Sequence, residues 1–206
     1  MFIERVRSTF KANEPIYTEE IIGLFPDYSR PQTFRFIKEA EEKKEIVNFA
    51  KGIYYIPSDT FIGLSTITAD SVIARRYLKW KDEVFGVYSG LKLQNMFSVT
   101  TQVPNVYEIV SNNESSKRRE VKMDGRIFNL RKSRFEINKE NANAYMIMEL
   151  FNNLNGETID EYAKRRLIKF MHDKDVSIEQ LMDVAMRFPA KALKNLIGSK
   201  ILNELT

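Results

Sequence analysis

Residues 1–57 hold three short amphipathic segments and then two β-like runs joined at Ala50-Lys51-Gly52, the second closing on Ile53-Tyr54-Tyr55-Ile56-Pro57. Helix, helix, helix, hairpin is the order a winged helix-turn-helix requires, and it directs the reading of the chain toward DNA. In the first segment Phe2, Val6 and Phe10 stand four residues apart, which aligns them on one helical stripe. Ile16-Tyr17 is long enough only for a β-bridge. Thr18 then offers a hydroxyl to cap a second helix whose first turn carries Glu19 and Glu20, favourable at the positive end of the helix dipole. Ile21, Ile22, Leu24 and Phe25 bury that helix, and Pro26-Asp27 breaks it. Ser29 opens the third helix with Gln32 at capping-box spacing and Pro31 in the first turn, where its missing N–H costs no hydrogen bond.

On the third helix Thr33, Phe36, Ile37 and Ala40 follow the i, i+3, i+4, i+7 rule and face the core, which turns Arg30, Gln32, Phe34, Arg35 and Lys38 outward. Arg and Lys bond guanine O6 and N7, Gln bonds adenine bidentately, and an exposed Phe touches a thymine methyl, so these five are the candidate base-reading residues. The acids Glu39, Glu41, Glu42 and Glu45 begin only at the far end, so the nine cations and nine acids of residues 1–57 form a polarised surface. Lys51, at the hairpin tip, is a candidate phosphate contact.

With 206 residues, 43% of them apolar, the chain suffices for one large domain or two small ones with buried cores. No apolar run approaches the roughly 20 residues of a membrane span. Met1-Phe2-Ile3-Glu4-Arg5 lacks the basic-then-apolar order of a signal peptide, so a cytoplasmic location is expected. Zero cysteines exclude disulfides, thiolate zinc sites and Cys nucleophiles, and the single His172 cannot supply a His-rich metal site.

Pro57-Ser58-Asp59-Thr60 is the expected boundary, dividing a winged helix-turn-helix domain (1–57) from a second domain (58–206). The second begins with mixed elements: a helix over Asp70–Trp80, a strand over Val84–Tyr88, a helix capped by Ser89, a strand over Val106–Val110, and a hairpin from Val121 to Leu130 turning at Asp124-Gly125, the dipeptide suited to a type I′ turn. From about residue 138 to the end the pattern is helical. Asn138 caps one helix, Thr158 with Glu161 and Ser177 with Gln180 form two more capping boxes, and a last helix runs from Ala190 to Leu205. The fold class is α+β, with a helical C-terminal part.

Charge concentrates on the hairpin. Lys117, Arg118, Arg119, Lys122, Arg126, Arg131, Lys132 and Arg134 face only Glu120 and Asp124, a local +6 against +4 for the whole chain. A local basic patch suits a polyanion or an acidic protein partner, or else protects a solvated sheet edge from aggregation. Glu120-Val121-Lys122 also has the E-x-K spacing that, with Glu108, would hold Mg²⁺ in a nuclease, although surrounding arginines fit phosphate binding without a metal. No Walker loop, G-x-S-x-G or G-x-G-x-x-G is present, and the chain is poor in glycine. Metal-dependent nuclease and RNA-binding or scaffolding module therefore stand as the alternatives to a DNA-binding regulator.

Ile53-Tyr54-Tyr55-Ile56-Pro57, Val72-Ile73-Ala74-Arg75-Arg76-Tyr77-Leu78, Val84-Phe85-Gly86-Val87-Tyr88-Ser89-Gly90, Thr100-Thr101-Gln102-Val103-Pro104-Asn105 with Glu108-Ile109-Val110, and Arg187-Phe188-Pro189 together resemble the AbiEi-type antitoxins of bacterial abortive-infection (type IV) toxin–antitoxin systems. The resemblance covers nearly the whole chain. It implies a non-enzymatic, cofactor-free protein with two partners: double-stranded operator DNA, which the winged helix binds to repress its own operon, and a nucleotidyltransferase-like toxin, which the C-terminal domain counters. Lys44 departs from the usual winged-helix pattern, standing where a Gly commonly precedes the first wing strand.

Overall fold

Local caps and turns decide where the elements begin. The computed structural model describes residues 2–204 apart from Glu157. In α1 (Phe2–Thr9), Val6 is buried. β1 (Ile16–Tyr17) leads directly into α2 (Thr18–Leu24), whose Glu20 carboxylate reaches back to accept the Tyr17 N–H at 2.8 Å. Thr18 is therefore the first helical residue and not the cap, because the backbone one residue earlier already has extended geometry and a Glu three residues on. α3 (Arg30–Glu42) starts as expected, with the Ser29 side chain accepting from the Gln32 N–H and Pro31 in the first turn.

β2 (Val47–Ala50) and β3 (Ile53–Tyr55) form the wing, and β1 adds to β3 to give the order β1-β3-β2, antiparallel throughout. One core gathers Val6, Phe10, Ile16, Ile21, Ile37, Ala40, Ile46 and Tyr54 from all of these elements. Phe36 of the predicted stripe is only half-buried and lies in an aromatic group with Phe2 and Tyr28. This is the winged helix-turn-helix arrangement. A second small hairpin, β4 (Asp59–Thr60) with β5 (Gly63–Leu64), follows the wing.

The chain forms two compact units, Met1–Val72 and Ile73–Thr206, so residues 58–72 go with the winged helix. The division falls inside α4 (Ala69–Tyr77), 15 residues beyond the composition change at Pro57. In the second unit β6 (Lys79–Trp80) pairs with β7 (Glu83–Val84). Trp80 thus ends in a hairpin, where the sequence pattern had extended the helix through it. β8 (Gly86–Ser89) leads into α5 (Gly90–Met96), and β9 (Val106–Ser111), β10 (Arg119–Met123) and β11 (Arg126–Lys132) follow. The sheet order is β10-β11-β9-β8, with β11 parallel to β9 and the other neighbours antiparallel. Asp124 and Gly125, at φ 48° and 73°, make the type I′ turn between β10 and β11.

α6 (Ala142–Asn153) packs on β8 and α5 and against α8 (Ile178–Ala185) and α9 (Ala190–Gly198). α7 (Glu161–Asp173) adds Leu167 and Met171 to the same core. Two start signals differ from expectation. Asn138 and Asn141 bond each other's backbone N–H reciprocally, and only then does α6 begin. Asp160, not Thr158, caps α7 by accepting the Ala163 N–H at 2.8 Å. The Ser177–Gln180 capping box opens α8 as expected. After α9 the chain makes a 3-10 turn over Ile201–Glu204, and Leu205 lies outside the described residues.

Lys44 sits just past the end of α3 at φ 57°, the left-handed conformation that Gly adopts without the cost imposed by a Cβ. Lys44→Gly is expected to raise unfolding stability by about 1 kcal/mol, read as a higher urea midpoint at unchanged slope. A lower midpoint would show that the lysine side chain contributes more there than the backbone strain costs.

Candidate nucleic-acid interface

The recognition-type helix presents its outward face as the spacing requires. Arg30, Phe34, Arg35 and Lys38 are exposed and Gln32 is half-exposed, while Thr33, Ile37 and Ala40 are buried. Two of the cations rest on acids of the same unit: Arg30 meets Glu19 at 2.6 Å, and Arg35 lies 3.6 Å from Glu39 one turn on. Both pairs are exposed and weak, so a phosphate or base edge can replace the carboxylate at small cost. Lys51 is exposed at the wing tip, and the adjoining Gly52 carbonyl accepts the Thr18 N–H at 3.0 Å, which fixes the wing against the start of α2. The structure thus brings together a helix face and a wing tip, the two parts from which groove and phosphate contacts are made in such folds.

The basic hairpin is not one face. Register pairs Glu120 with Asn129 and Lys122 with Ile127, so Lys122 and Arg131 lie on one side of the sheet, and Arg119, Arg126 and Lys132 on the other. Lys117 and Arg118 precede β10, and Arg134 follows β11. Two of the eight have internal roles. Arg131 forms an ion pair with Glu149, a fully buried carboxylate on α6 that also accepts from Ser89 Oγ at 2.7 Å and Asn153 Nδ2 at 2.8 Å. Arg119 bonds Glu114 at 2.7 Å and the Tyr77 hydroxyl at 2.5 Å.

Burial alone would raise the Glu114 carboxyl. The backbone N–H of Ser116 and the Arg119 charge more than offset it and hold the group below the usual carboxylate range. These acids lie outside 117–134, so the local excess falls from +6 to +4. Arg126 bonds the Tyr107 hydroxyl at 2.9 Å and stacks on its ring, Lys122 lies 3.4 Å from Glu120, and Arg134 lies over Phe188. Lys117, Arg118 and Lys132 are exposed.

Sequence reasoning missed Glu114, Glu149, Ser89 and Tyr77. A usable signal existed for Glu149, the single charge between Glu140 and Glu157 in an otherwise apolar helix. Of the proposed metal set, Glu108 and Glu120 stand in one row across the sheet with Asn129 between them, about 10 Å apart at two strand spacings. Glu108 instead lies against Gly90, where an added Cβ would come within 2.5 Å of its Oε1. Among the described residues no three His, Cys, Asp or Glu side chains converge where a metal could sit. His172 is exposed at the end of α7. The Thr100–Asn105 segment connects α5 to β9, with Asn95 Nδ2 donating to the carbonyls of Thr100 and Gln102 and Pro104 buried.

A family model covers residues 18–180, from the first residue of α2 into α8. The chain belongs to DUF6088, a family of unknown function. The part matched takes in the DUF6088 chain's recognition-type helix, its wing, the basic hairpin and the Glu149 cluster. No curated protein matches it. No helix among the described residues is long and apolar enough to cross a membrane.

If Arg131 is an internal partner and not a ligand contact, Arg131→Ala leaves a buried carboxylate unpaired and should cost about 3 kcal/mol or more of stability. Arg118→Ala, on exposed ground, should stay within about 0.5 kcal/mol. Urea denaturation of both variants decides; equal small losses would return Arg131 to the surface patch.

Proposed function

We propose that this chain is a cytoplasmic DNA-binding regulator of the AbiEi antitoxin kind, which represses its own operon through the winged helix and counters a nucleotidyltransferase-like toxin through its second unit, acting by binding and not by catalysis. The observation that carries the reading is the outward face of α3, where Arg30, Phe34, Arg35 and Lys38 are exposed above a buried Thr33-Ile37-Ala40 stripe and beside a wing whose tip holds Lys51. Further support comes from the helix's polarity: no acid lies between Arg30 and Lys38, so the end that enters a groove is cationic. The exposed hairpin cations Lys117, Arg118, Lys122 and Lys132 add phosphate contacts or engage an acidic face of the toxin.

Replacing Arg35 and Lys38 together by Ala should weaken binding to the promoter DNA upstream of its own reading frame by a factor of about 30 or more at 0.15 M salt, since each base or phosphate contact contributes roughly 1–3 kcal/mol. The core stripe is untouched, so the variant should melt as the wild type does. Unchanged affinity in a gel-shift titration would sink the recognition-helix assignment.

For the second activity, co-expression with the product of an adjacent nucleotidyltransferase-like reading frame should restore growth that the toxin alone arrests. The Arg35/Lys38 variant should protect as well as the wild type, because toxin contact is assigned to the other unit. Growth arrest undiminished by the wild-type chain would refute the antitoxin reading while leaving DNA binding standing.

A further inference from the structure

The hairpin after the wing presents two large apolar side chains to solvent. Phe61 and Ile62, at the tip between β4 and β5, are 112% and 99% exposed, and the neighbouring Leu64 is 46% exposed. The hairpin's base is pinned. Asn13 Nδ2 donates to Ser58 Oγ at 2.9 Å, Ser58 N–H donates to Ser65 Oγ at 2.8 Å, the Ser65 hydroxyl bonds Asn13 Oδ1, and the Tyr55 hydroxyl donates to the Ser65 carbonyl at 3.0 Å. A tip so anchored, with exposed apolar side chains held out from the domain, is the form of a protein contact.

Charge narrows the partner. Residues 52–74 contain Asp59 and Asp70 and no Lys or Arg, in a chain with 32 cations. Such a tip is repelled by nucleic-acid phosphates and has no cation to hold anionic lipid headgroups. It suits an apolar pocket with a basic rim, and the second unit carries one. A cleft of about 430 Å³ is lined by Met96, Phe97, Tyr162 and Phe170, with Arg166 and Lys169 at its edge. Phe97 and Phe170 meet edge to face at 5.1 Å, while Met96 and Tyr162 are exposed. Lys169 is paired with Asp173 at 3.0 Å, whereas Arg166 rests on a neutral hydroxyl, Ser98 Oγ, at 3.0 Å.

We propose that the chain self-associates, the Phe61-Ile62 tip of one copy occupying the Met96-Tyr162-Phe170 cleft of a second, with Asp59 set against Arg166. Reciprocal exchange closes the assembly at two copies. Proteins that read DNA through a single helix gain specificity when two copies address two half-sites, so the contact would also set the spacing of the sites bound.

Sedimentation equilibrium of the full chain tests this with two variants, Phe61→Ser with Ile62→Ser at the tip, and Met96→Glu with Tyr162→Glu at the cleft. All four positions are exposed, so both variants should keep the wild-type melting profile. Wild type should approach twice the 24.1 kDa of one chain, and each variant should weaken association by a factor of about 100 or more. Mixing the two variants should give dimers that neither forms alone, because the intact tip of one fits the intact cleft of the other. A wild type that stays at 24.1 kDa at every concentration, a variant that still dimerises normally, growth beyond the dimer, or a mixture that remains monomeric would each overturn the proposal.

Discussion

The buried carboxylate of Glu149 ties the second unit together. It stands on α6, the helix against which β8, α5, α8 and α9 all pack, and it receives hydrogen from Ser89 at the end of β8, from Arg131 on β11 and from Asn153 a turn further along α6. Its Oε2 has no hydrogen-bond partner among the described residues, so the charge is held by one oxygen's contacts alone. A buried ion pair of this kind adds little net stability over apolar residues of equal volume, because desolvation offsets the Coulomb gain. What it supplies is registry. Sliding α6 by one turn along the sheet, or pairing β11 one residue out of step, would leave a carboxylate buried without a cation. Ser89 shows the consequence locally, since it stands at the N-cap position of α5 yet gives its hydroxyl to Glu149 and makes no cap bond.

The same region explains a glycine pair the sequence presents without comment. Gly86 opens β8 where an added Cβ would lie 1.9 Å from the Tyr77 carbonyl oxygen and 2.7 Å from that of Val110, so backbone, which cannot swing aside, excludes any side chain. Gly90 turns from β8 into α5 at φ 55° with the Glu108 carboxylate packed on it. Val84 to Gly90 is therefore a tight strand-to-helix passage. Glu108 belongs to that passage through its packing, which accounts for the residue without metal chemistry. The arrangement also orients Lys92, whose ammonium lies 4.8 Å from the Tyr107 ring centre.

Where local chemistry decides, the sequence is readable. Ser29 with Gln32, Ser177 with Gln180, and Asp124-Gly125 each name their own structure, because the partner lies within three residues and the geometry is fixed by the backbone. Legibility fails where two local signals compete: Thr158 and Asp160 both precede α7, and the acid prevails without the Glu or Gln that a capping-box search demands. It fails altogether for long-range neutralisation. Nothing near Arg131 or Arg119 in sequence announces an acid on α6 or in the turn at Glu114, since the partners lie across the sheet or beyond a loop. A charge count along the chain therefore overstates the hairpin's basicity, and an alternation count overlooks that β10 and β11 direct their cations to opposite faces.

Electrostatics divides unevenly between the two units, and this bears on how the proposed regulator would find DNA. Through residue 57 cations and acids are equal, and Asp59 and Asp70 then bring Met1–Val72 to −2, which leaves +6 on Ile73–Thr206 out of the chain's +4. The winged helix thus exerts no net attraction on a polyanion from afar. Up close the picture changes. α3 has 13 residues, about 20 Å at 1.5 Å each, which exceeds two Debye lengths of roughly 8 Å in physiological salt. The cations at its start are consequently screened from most of the acids at its end and act on a phosphate as an isolated group, aided by the positive pole of the helix. On the proposed reading the second unit provides the long-range attraction and α3 the short-range discrimination, so that added salt would slow encounter mainly through the second unit and leave the pattern of base contacts on α3 largely as it was.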